Sequence, residues 1–598
     1  MTFVLLEMNL TDKACHTLYQ APSNIIRADR VADVAGALEE LDRALDDGQH
    51  VAGYLSYELG LALEPRLCDL VPRVRNMPLL WFGVFDEMTR LGEAETAEFL
   101  NEQSRSAHSL SAFTPGMNGT EYKKRFQRVQ EMISAGDIYQ LNLTFAVNFH
   151  CEGDPISLYI ELRKRQKVSH GALISTPEFS LLSASPELFM TVRNGRIETR
   201  PMKGTAPRAP MLVEDREIIK WLRNDEKSQA ENLMIVDLMR NDMSRISKPG
   251  SVRVEDLYSI ETHPTLHQMT SGIHATLEDG LSFGDVVRQI FPSGSITGAP
   301  KIRAMELINE LETGARGVYT GSIGAVTPSG DMHFNVAIRT AVIMPDGRGT
   351  LGIGSGLVAD SEIDHEYEEC LLKMRFISEP YEPFKLIETL LFEHGADGGE
   401  SEFTLLNRHL ERLANSAAYF RYPYDRELVL GALEDAVEKV DAGYIRVRLT
   451  LDRDGEVFVT TTPIARPDPD LVMRFDLSSH LVNSEDVYYY HKTTRRTLFD
   501  EEFARVSKDP GLDEAVFLNE FGHVTEGCIT NIFVKKEGRL YTPRLSSGLL
   551  AGTLRADLIE RGEAIEAIIE VRHLLEADAI YLGNSVRGLV KARFMNTP

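Results

Sequence analysis

Cysteine is scarce in this chain. Five residues, Cys15, Cys68, Cys151, Cys370 and Cys528, lie scattered over 598 positions without metal-ligand spacing. That pattern excludes a disulfide framework and a zinc site, and it predicts a reducing compartment. Long apolar runs are missing as well. No segment approaches the ~20 apolar residues that a spanning helix needs, and the opening Met1-Thr2-Phe3-Val4-Leu5-Leu6-Glu7 has no basic leader region. A cytoplasmic protein with no membrane partner is the expectation. Positive charge is in deficit: 64 Lys and Arg stand against 90 Asp and Glu, for a net charge of -26. The acids spread along the chain, so no nucleic-acid or anionic-membrane partner is expected. A small anionic substrate stays compatible, because it needs only a local basic pocket.

What is present fits ordinary globular protein, with 43% hydrophobic and 26% charged residues. The length calls for roughly two to four domains. Residues 1–112 mix short alternating runs with an acidic helix at Val34–Asp46. Thr114–Thr120 breaks that pattern before a helix at Glu121–Ser134. From there to Ile377 strands and helices mix without strict βαβ alternation, which predicts α+β sandwich layers. Ser378-Glu379-Pro380-Tyr381-Glu382-Pro383 is a second break. It is followed by a strand at Lys385–Phe392, a helix through His409–Ala418, and a hairpin of Arg446–Thr450 and Val457–Thr461 around Asp454-Gly455. The domains are therefore drawn at 1–378 (an N-terminal segment of residues 1–112 and a core of 113–378), a linker 379–384, and 385–598.

Lys203 carries the first chemical signal, in Arg200-Pro201-Met202-Lys203-Gly204-Thr205. A lysine near carboxylates and shielded from water can lose its proton and act as a nucleophile. Downstream, Asp360–Met374 reads as a helix capped near Asp360 or Ser361. Ile363, Tyr367, Cys370, Leu371 and Met374 share one stripe, with Glu366, Glu369 and Lys373 beside it. Carboxylates spaced i, i+3 along an apolar stripe need a cation, and Mg²⁺ suits few carboxylates plus substrate oxygens; the alternative reading of this helix taken alone is a solvated i, i+4 salt-bridge face. Glu226–Asp242 is a second helix in which an acid enters an apolar segment. Between the two helices lies Gly294-Ser295-Ile296-Thr297-Gly298-Ala299-Pro300-Lys301. Pro300 is expected in the first turn of a helix, leaving the Thr297–Ala299 amides to face an anion. Arg339 suits bidentate pairing with a carboxylate, and a Gly354-Ser355-Gly356 turn would let backbone approach a ligand closely.

These segments, in this order across residues 137–375, resemble the chorismate-utilising enzymes. The resemblance implies that Glu231, Glu369 and nearby Glu366 hold Mg²⁺, which in turn holds the ring carboxylate of chorismate. It implies a substrate pocket of Thr297, Gly298, Tyr319, Arg339, Gly354, Ser355, Gly356, Lys373 and His267. Pro264 and Gln268 make the surroundings of His267 less typical of the family. Members that add water to chorismate carry an activating lysine where this chain has Gln140, which cannot be a base, so amination is implied. Anthranilate makers carry Ala where Lys203 stands, and aminodeoxychorismate makers carry Lys. By that likeness Lys203 attacks carbon two as the allylic hydroxyl leaves, ammonia later displaces it at carbon four, and Glu187 protonates the departing hydroxyl. No glutaminase nucleophile motif is present, so ammonia is expected from a separate amidotransferase subunit or from solution.

The second signal is Tyr488-Tyr489-Tyr490-His491-Lys492, read as a lysine after an aromatic strand. It is followed by Glu526 at a turn in Val524-Thr525-Glu526-Gly527. The pair resembles the fold-type IV pyridoxal-phosphate enzymes. The resemblance makes Lys492 the Schiff-base lysine and Glu526 the partner of the pyridine nitrogen. It gives the phosphate to Arg412, to the helix-start loop with Thr553 and Leu554, and to Asn584 and Ser585. Leu554 stands where the aminotransferases carry threonine. Members are commonly dimers, which makes a homodimer through the C-terminal half the expectation. Together the halves resemble a fusion of aminodeoxychorismate synthase component I and aminodeoxychorismate lyase, converting chorismate and ammonia to 4-aminobenzoate and pyruvate for folate synthesis. The alternative is an anthranilate synthase component I fused to a branched-chain or D-amino-acid aminotransferase.

Overall fold

The computed structural model describes residues 2–8, 15–165, 169–263, 266–379, 382–394, 401–438, 440, 443–466, 468 and 470–595. Pro264 and the expected linker residues Pro380 and Tyr381 lie outside them. Two compact units emerge: Met1–Ala206 with Trp221–Tyr381, and Pro207–Lys220 with Glu382–Pro598.

The first unit is built on two ten-stranded sheets that share one core. Alternation explains how a strand serves two cores. In Phe3–Met8, Phe3 and Leu5 enter the main cluster, while Val4 and Leu6 face a second one around Tyr54, Trp81 and Phe179. The helix Val34–Asp46 buries Val34, Ala37, Leu38, Leu41 and Ala44, the spacing of a single stripe. The helix Glu226–Ser244 starts where Asp225 accepts the Ser228 amide at 2.9 Å. The long strands Gln140–Gly153 and Arg348–Leu357 run antiparallel, setting Gly354 opposite Thr144, Ser355 opposite Leu143 and Gly356 opposite Asn142.

Local expectations change in three places here. Gly354-Ser355-Gly356 lies within the strand Arg348–Leu357 and not in a turn, because the ladder to Gln140–Gly153 continues through it. The acidic helix begins at Ile363 with Glu362 as its cap position; the Ser361 hydroxyl instead accepts the Val358 amide at 3.1 Å. Pro300 stands before the helix Lys301–Leu311. Gly298 and Ala299 pair with Leu141 and Gln140, so these two residues extend a sheet and do not open a helix.

The second unit joins a four-stranded antiparallel sheet to an eight-stranded mixed one. Leu386–Glu393 pairs with Tyr444–Leu451, which pairs with Val457–Pro463 through a turn where Gly455 has φ +88°. The helix Leu406–Phe420 packs its apolar stripe on this sheet. Val472–Val482 runs parallel to both Glu514–Asn519 and Gly588–Phe594. A 3-10 turn, Val487–Tyr489, precedes Lys492 where a strand was expected. Its cause is Asp486, whose carboxylate accepts the Tyr488 amide at 3.0 Å and closes the chain on itself. Glu526 in turn sits on a short strand, Val524–Gly527, and not at the turn that follows.

Residues 207–220 are an integral portion of this second unit. Arg208 Nη2 meets the Asp215 carboxylate at 2.6 Å, Arg208 Nη1 donates to the Tyr419 carbonyl at 2.7 Å, and the guanidinium lies 3.6 Å from the Tyr419 ring centroid. The Pro210 carbonyl accepts from His491 Nε2 at 2.9 Å. Both members of the ion pair are buried, with side-chain exposures of 4% and 3%. Arg208→Met is therefore expected to strand the Asp215 charge and cost about 3–5 kcal/mol, read as a lower urea midpoint for the second unit's transition. An unchanged midpoint would show the pair contributes nothing. No helix among the described residues is long and apolar enough to cross a membrane.

Candidate active sites

In the first unit Lys203 lies part-buried on the strand Met202–Pro207. Burial lowers its proton affinity, Glu187 works against that, and Lys373 adds to it. Glycine at 356 is what makes room for the amine. A Cβ there would stand 2.7 Å from Lys203 Nζ, 2.7 Å from Asn142 Oδ1 and 3.1 Å from Gln140 Nε2. Gln140 is buried, its Oε1 has no hydrogen-bond partner among the described residues, and its Nε2 donates to Asn142 Oδ1 at 3.3 Å.

Glu187 is 4% exposed. Burial raises its carboxyl to about 7, although a hydrogen bond from Ser295 and the Lys203 charge oppose the rise. It is thus a carboxylic acid still partly protonated near neutrality. Arg339 has φ +51°, and its Nη1 is buried without a partner among the described residues. Burial alone lowers it to about 10, with no acid acting on it. A desolvated guanidinium with no counter-ion among the described residues fits an anionic ligand. The Tyr319 ring fills the space over Gly352, where a Cβ would come within 2.0 Å.

Other expected contacts are placed differently. Thr297 Oγ1 turns into its own loop, donating to Gly294 O at 3.1 Å and Ser293 O at 3.3 Å. Gly298, with φ +155°, leaves no space for a side chain against Gln140 O. His267 is completely buried, with Nδ1 3.0 Å from Thr262 Oγ1. Its neighbour Gln268 holds the Lys203 strand, donating to Gly204 O at 2.9 Å.

The expected Mg²⁺ ligands are not assembled. Burial raises the Glu231 carboxyl, Lys203 lowers it and Glu366 raises it again. Glu369 is turned to Lys373, 2.6 Å away, and Lys373 also donates to Gly354 O at 2.8 Å. Burial pushes Glu369 up, but the Lys373 and Lys203 charges outweigh it. Among the described residues no three His, Cys, Asp or Glu side chains converge to hold a metal.

In the second unit Lys492 is part-buried and lowered to about 7 by burial and by the charges of Arg412 and Arg496, against Glu388 and Glu526. Glu526 is pushed up to about 8 by burial; its Oε1 accepts the Leu550 amide at 2.9 Å and its Oε2 accepts Asn531 Nδ2 at 3.3 Å. Arg412 is held by Glu388 through Nε at 2.9 Å and Nη2 at 2.7 Å, and Nη1 reaches the Ala551 carbonyl at 3.0 Å. His409 Nδ1 meets the same Glu388 at 2.6 Å, and its Nε2 meets Ser585 Oγ at 2.9 Å and Thr553 Oγ1 at 3.2 Å. Burial alone would raise Glu388; the Arg412 and His409 charges bring it to about 2. Arg412, Thr553 and Ser585 thus gather at the start of the helix Thr553–Glu560, a donor set suited to a phosphate. Lys492 and Glu526 supply the amine and the buried acid that pyridoxal phosphate requires, so the residues fit that cofactor. Leu554 packs against the cluster of Phe533, Leu558 and Ala564. Asn584 is spent on its own turn: Nδ2 donates to Ile529 O and Oδ1 accepts the Val586 and Arg587 amides.

Ser295, Asn142, Glu388, His409, Asn531 and Arg496 were not singled out from the sequence. Glu388 had a usable signal, an acid inside Leu386-Ile387-Glu388-Thr389-Leu390-Leu391. The others acquire meaning only from the partners the fold gives them.

Residues 6–379 match the family described as chorismate binding enzyme, and residues 385–593 that described as amino-transferase class IV. Aminodeoxychorismate synthase component 1 of Salmonella typhimurium is 42% identical over 272 residues, 46% of this chain and 60% of that protein. Anthranilate synthase component 1 of Streptomyces coelicolor is 38% identical over 269 residues, 45% of this chain and 52% of that protein. The chain thus spans less than two thirds of the length of these curated relatives. The crystal structure of anthranilate synthase component I from Streptococcus pneumoniae superposes with a TM-score of 0.53 at 25% identity, over 61% of this chain and 92% of that one. Identity alone does not separate likeness to the one relative from likeness to the other.

Proposed function

We propose, for a chain that belongs to the chorismate binding enzyme family over residues 6–379, that its first unit aminates chorismate to 4-amino-4-deoxychorismate and its second converts that product to 4-aminobenzoate and pyruvate, for folate synthesis. The observation that carries the reading is the Lys203 amine, lowered by burial and lodged beside Gly356, Gln140 and Asn142 with the Glu187 acid acting on it. A neutral amine there is a nucleophile, and Glu187 supplies the proton that lets hydroxide leave as water. Arg339, without a counter-ion, is suited to a substrate carboxylate. Gln140 offers no base to activate water, which favours ammonia. The name component 1 borne by the Salmonella relative supports a separate glutamine amidotransferase as the ammonia source. Mg²⁺ is proposed as the cation for Glu231, Glu366 and Glu369, with Lys373 displaced from Glu369 on binding.

Pyridoxal phosphate, when bound in the second unit, supplies an electron sink at the amine-bearing carbon. Arg412, Thr553 and Ser585 hold its phosphate, and Glu526 keeps the ring nitrogen protonated. Lys492 removes the proton from carbon four of 4-amino-4-deoxychorismate. The enolpyruvyl group then departs as the ring becomes aromatic, and its carbon gains a proton to give pyruvate. The residues of this unit also suit an aminotransferase; its linkage to an aminating unit supports the lyase. A homodimer through the second unit completes the proposal. Chorismate, ammonium and Mg²⁺ given to the pyridoxal-phosphate-loaded protein should yield 4-aminobenzoate and pyruvate by mass. Anthranilate as the product would overturn the reading of the first unit, and accumulation of 4-amino-4-deoxychorismate that of the second.

A further inference from the structure

One oxygen of the buried Glu187 carboxyl is already engaged. Ser295 Oγ donates to Oε1 at 2.5 Å, and Ser295 itself is 3% exposed. Among the described residues no hydrogen bond reaches Oε2. Behind Ser295, Ser293 Oγ lies 3.0 Å from Ser295 Oγ and 3.8 Å from Met239 Sδ. The loop carrying both serines is fixed from outside: Asn142 Nδ2 donates to the Ser295 carbonyl at 2.9 Å, and Arg316 Nη1 to the Ile296 carbonyl at 3.1 Å. A serine has one proton to give. While Ser295 gives its proton to the carboxylate, it accepts one from Ser293, and each bond polarises the next.

We propose that Ser295, backed by Ser293, is a positioning residue for Glu187: by occupying Oε1 it leaves Oε2 as the oxygen that delivers the proton. The proposal rests on the reading of Glu187 as the acid of the amination step. In that step the Oε2–H bond breaks, the proton passes to the allylic oxygen, and the carbon–oxygen bond breaks with its electron pair leaving as water. The Lys203 nitrogen forms the new bond to carbon two as both ring double bonds shift by one position toward carbon four. The two groups that stabilise the ionised carboxylate are Ser295 and Lys203. Removing the hydroxyl leaves only Lys203, so the protonated acid persists to higher pH.

The test follows chorismate consumption against pH at constant free ammonia, with Mg²⁺ and full-length protein. Ser295→Ala should lower kcat about tenfold at the optimum, with KM for chorismate within about twofold of wild type. The alkaline limb of kcat should move up by about one pH unit. Ser295→Thr, which keeps the hydroxyl, should restore both, and Ser293→Ala should shift the limb in the same direction by less. A Ser295→Ala limb that superimposes on wild type, or a KM that rises in step with the loss of kcat, overturns the proposal. Glu187→Gln separates the two readings. If it keeps the wild-type rate, the acid assignment itself fails; if it is inactive while Ser295→Ala behaves as wild type, only the role of Ser295 fails.

Discussion

Lys492→Ala is expected to cut pyruvate release from supplied 4-amino-4-deoxychorismate by about 10²–10⁴-fold, the share a positioned proton-transfer group contributes. The same protein, given chorismate and ammonium, should accumulate 4-amino-4-deoxychorismate. The lost group is an amine that burial and the Arg412 and Arg496 charges hold at about 7, so a fraction of it is unprotonated near neutrality. No substitute stands close in sequence, since no other lysine occurs between Lys439 and Lys508. Pyridoxal phosphate should still bind, more weakly, because Arg412 is fixed by Glu388 and the Ala551 carbonyl without help from Lys492. Its visible absorption should shift away from the position it has in wild type. Pyruvate release at the wild-type rate would remove Lys492 from the chemistry.

Lys203→Ala should abolish amination at carbon four, by roughly 10⁴–10⁶-fold if the loss compares with that of other covalent nucleophiles. Lyase activity on supplied 4-amino-4-deoxychorismate should stay at the wild-type level, because Lys203 belongs to the first unit and Lys492 to the second. The substitution also frees space beside Gly356, Gln140 and Asn142. If anthranilate then appears, Lys203 selects where the ring is attacked; if both activities vanish, the assignment of two independent sites fails. Product analysis by mass, with each half supplied its own substrate, distinguishes these outcomes.

The residues proposed to do chemistry were legible because their segments resemble known families and because some of their types are costly out of context. A lysine within Pro-x-Lys-Gly-Thr, an acid in an apolar helix and a lysine after three tyrosines each ask for a partner. Lys203, Glu187, Lys492 and Glu526 are all buried or part-buried, as such a requirement implies. Backbone detail was less legible. Gly354-Ser355-Gly356 and Gly298-Ala299 have the composition of turns, yet cross-strand pairing to Gln140–Gly153 holds them extended. The Asp486 side chain overrode the strand propensity of three tyrosines, a short-range bond winning over a weak preference.

The sequence, through the two family resemblances its segments carry, was enough to separate two chemistries, to name the side chains proposed to carry them and to favour one amination over the other. How those groups are tuned came from the tertiary structure alone, because burial and long-range partners are not written in any one segment. Glu388 organises Arg412 and His409 from 24 and 21 positions away, and Ser295 reaches Glu187 across 108. Residues 207–220 lie within the span of the chorismate binding enzyme family yet pack into the second unit, because burying Arg208 against Asp215 and Tyr419 is a matter of shape and charge that chain order does not encode. Glu369 pairs with Lys373 one helical turn away, a contact whose geometry only the folded helix sets.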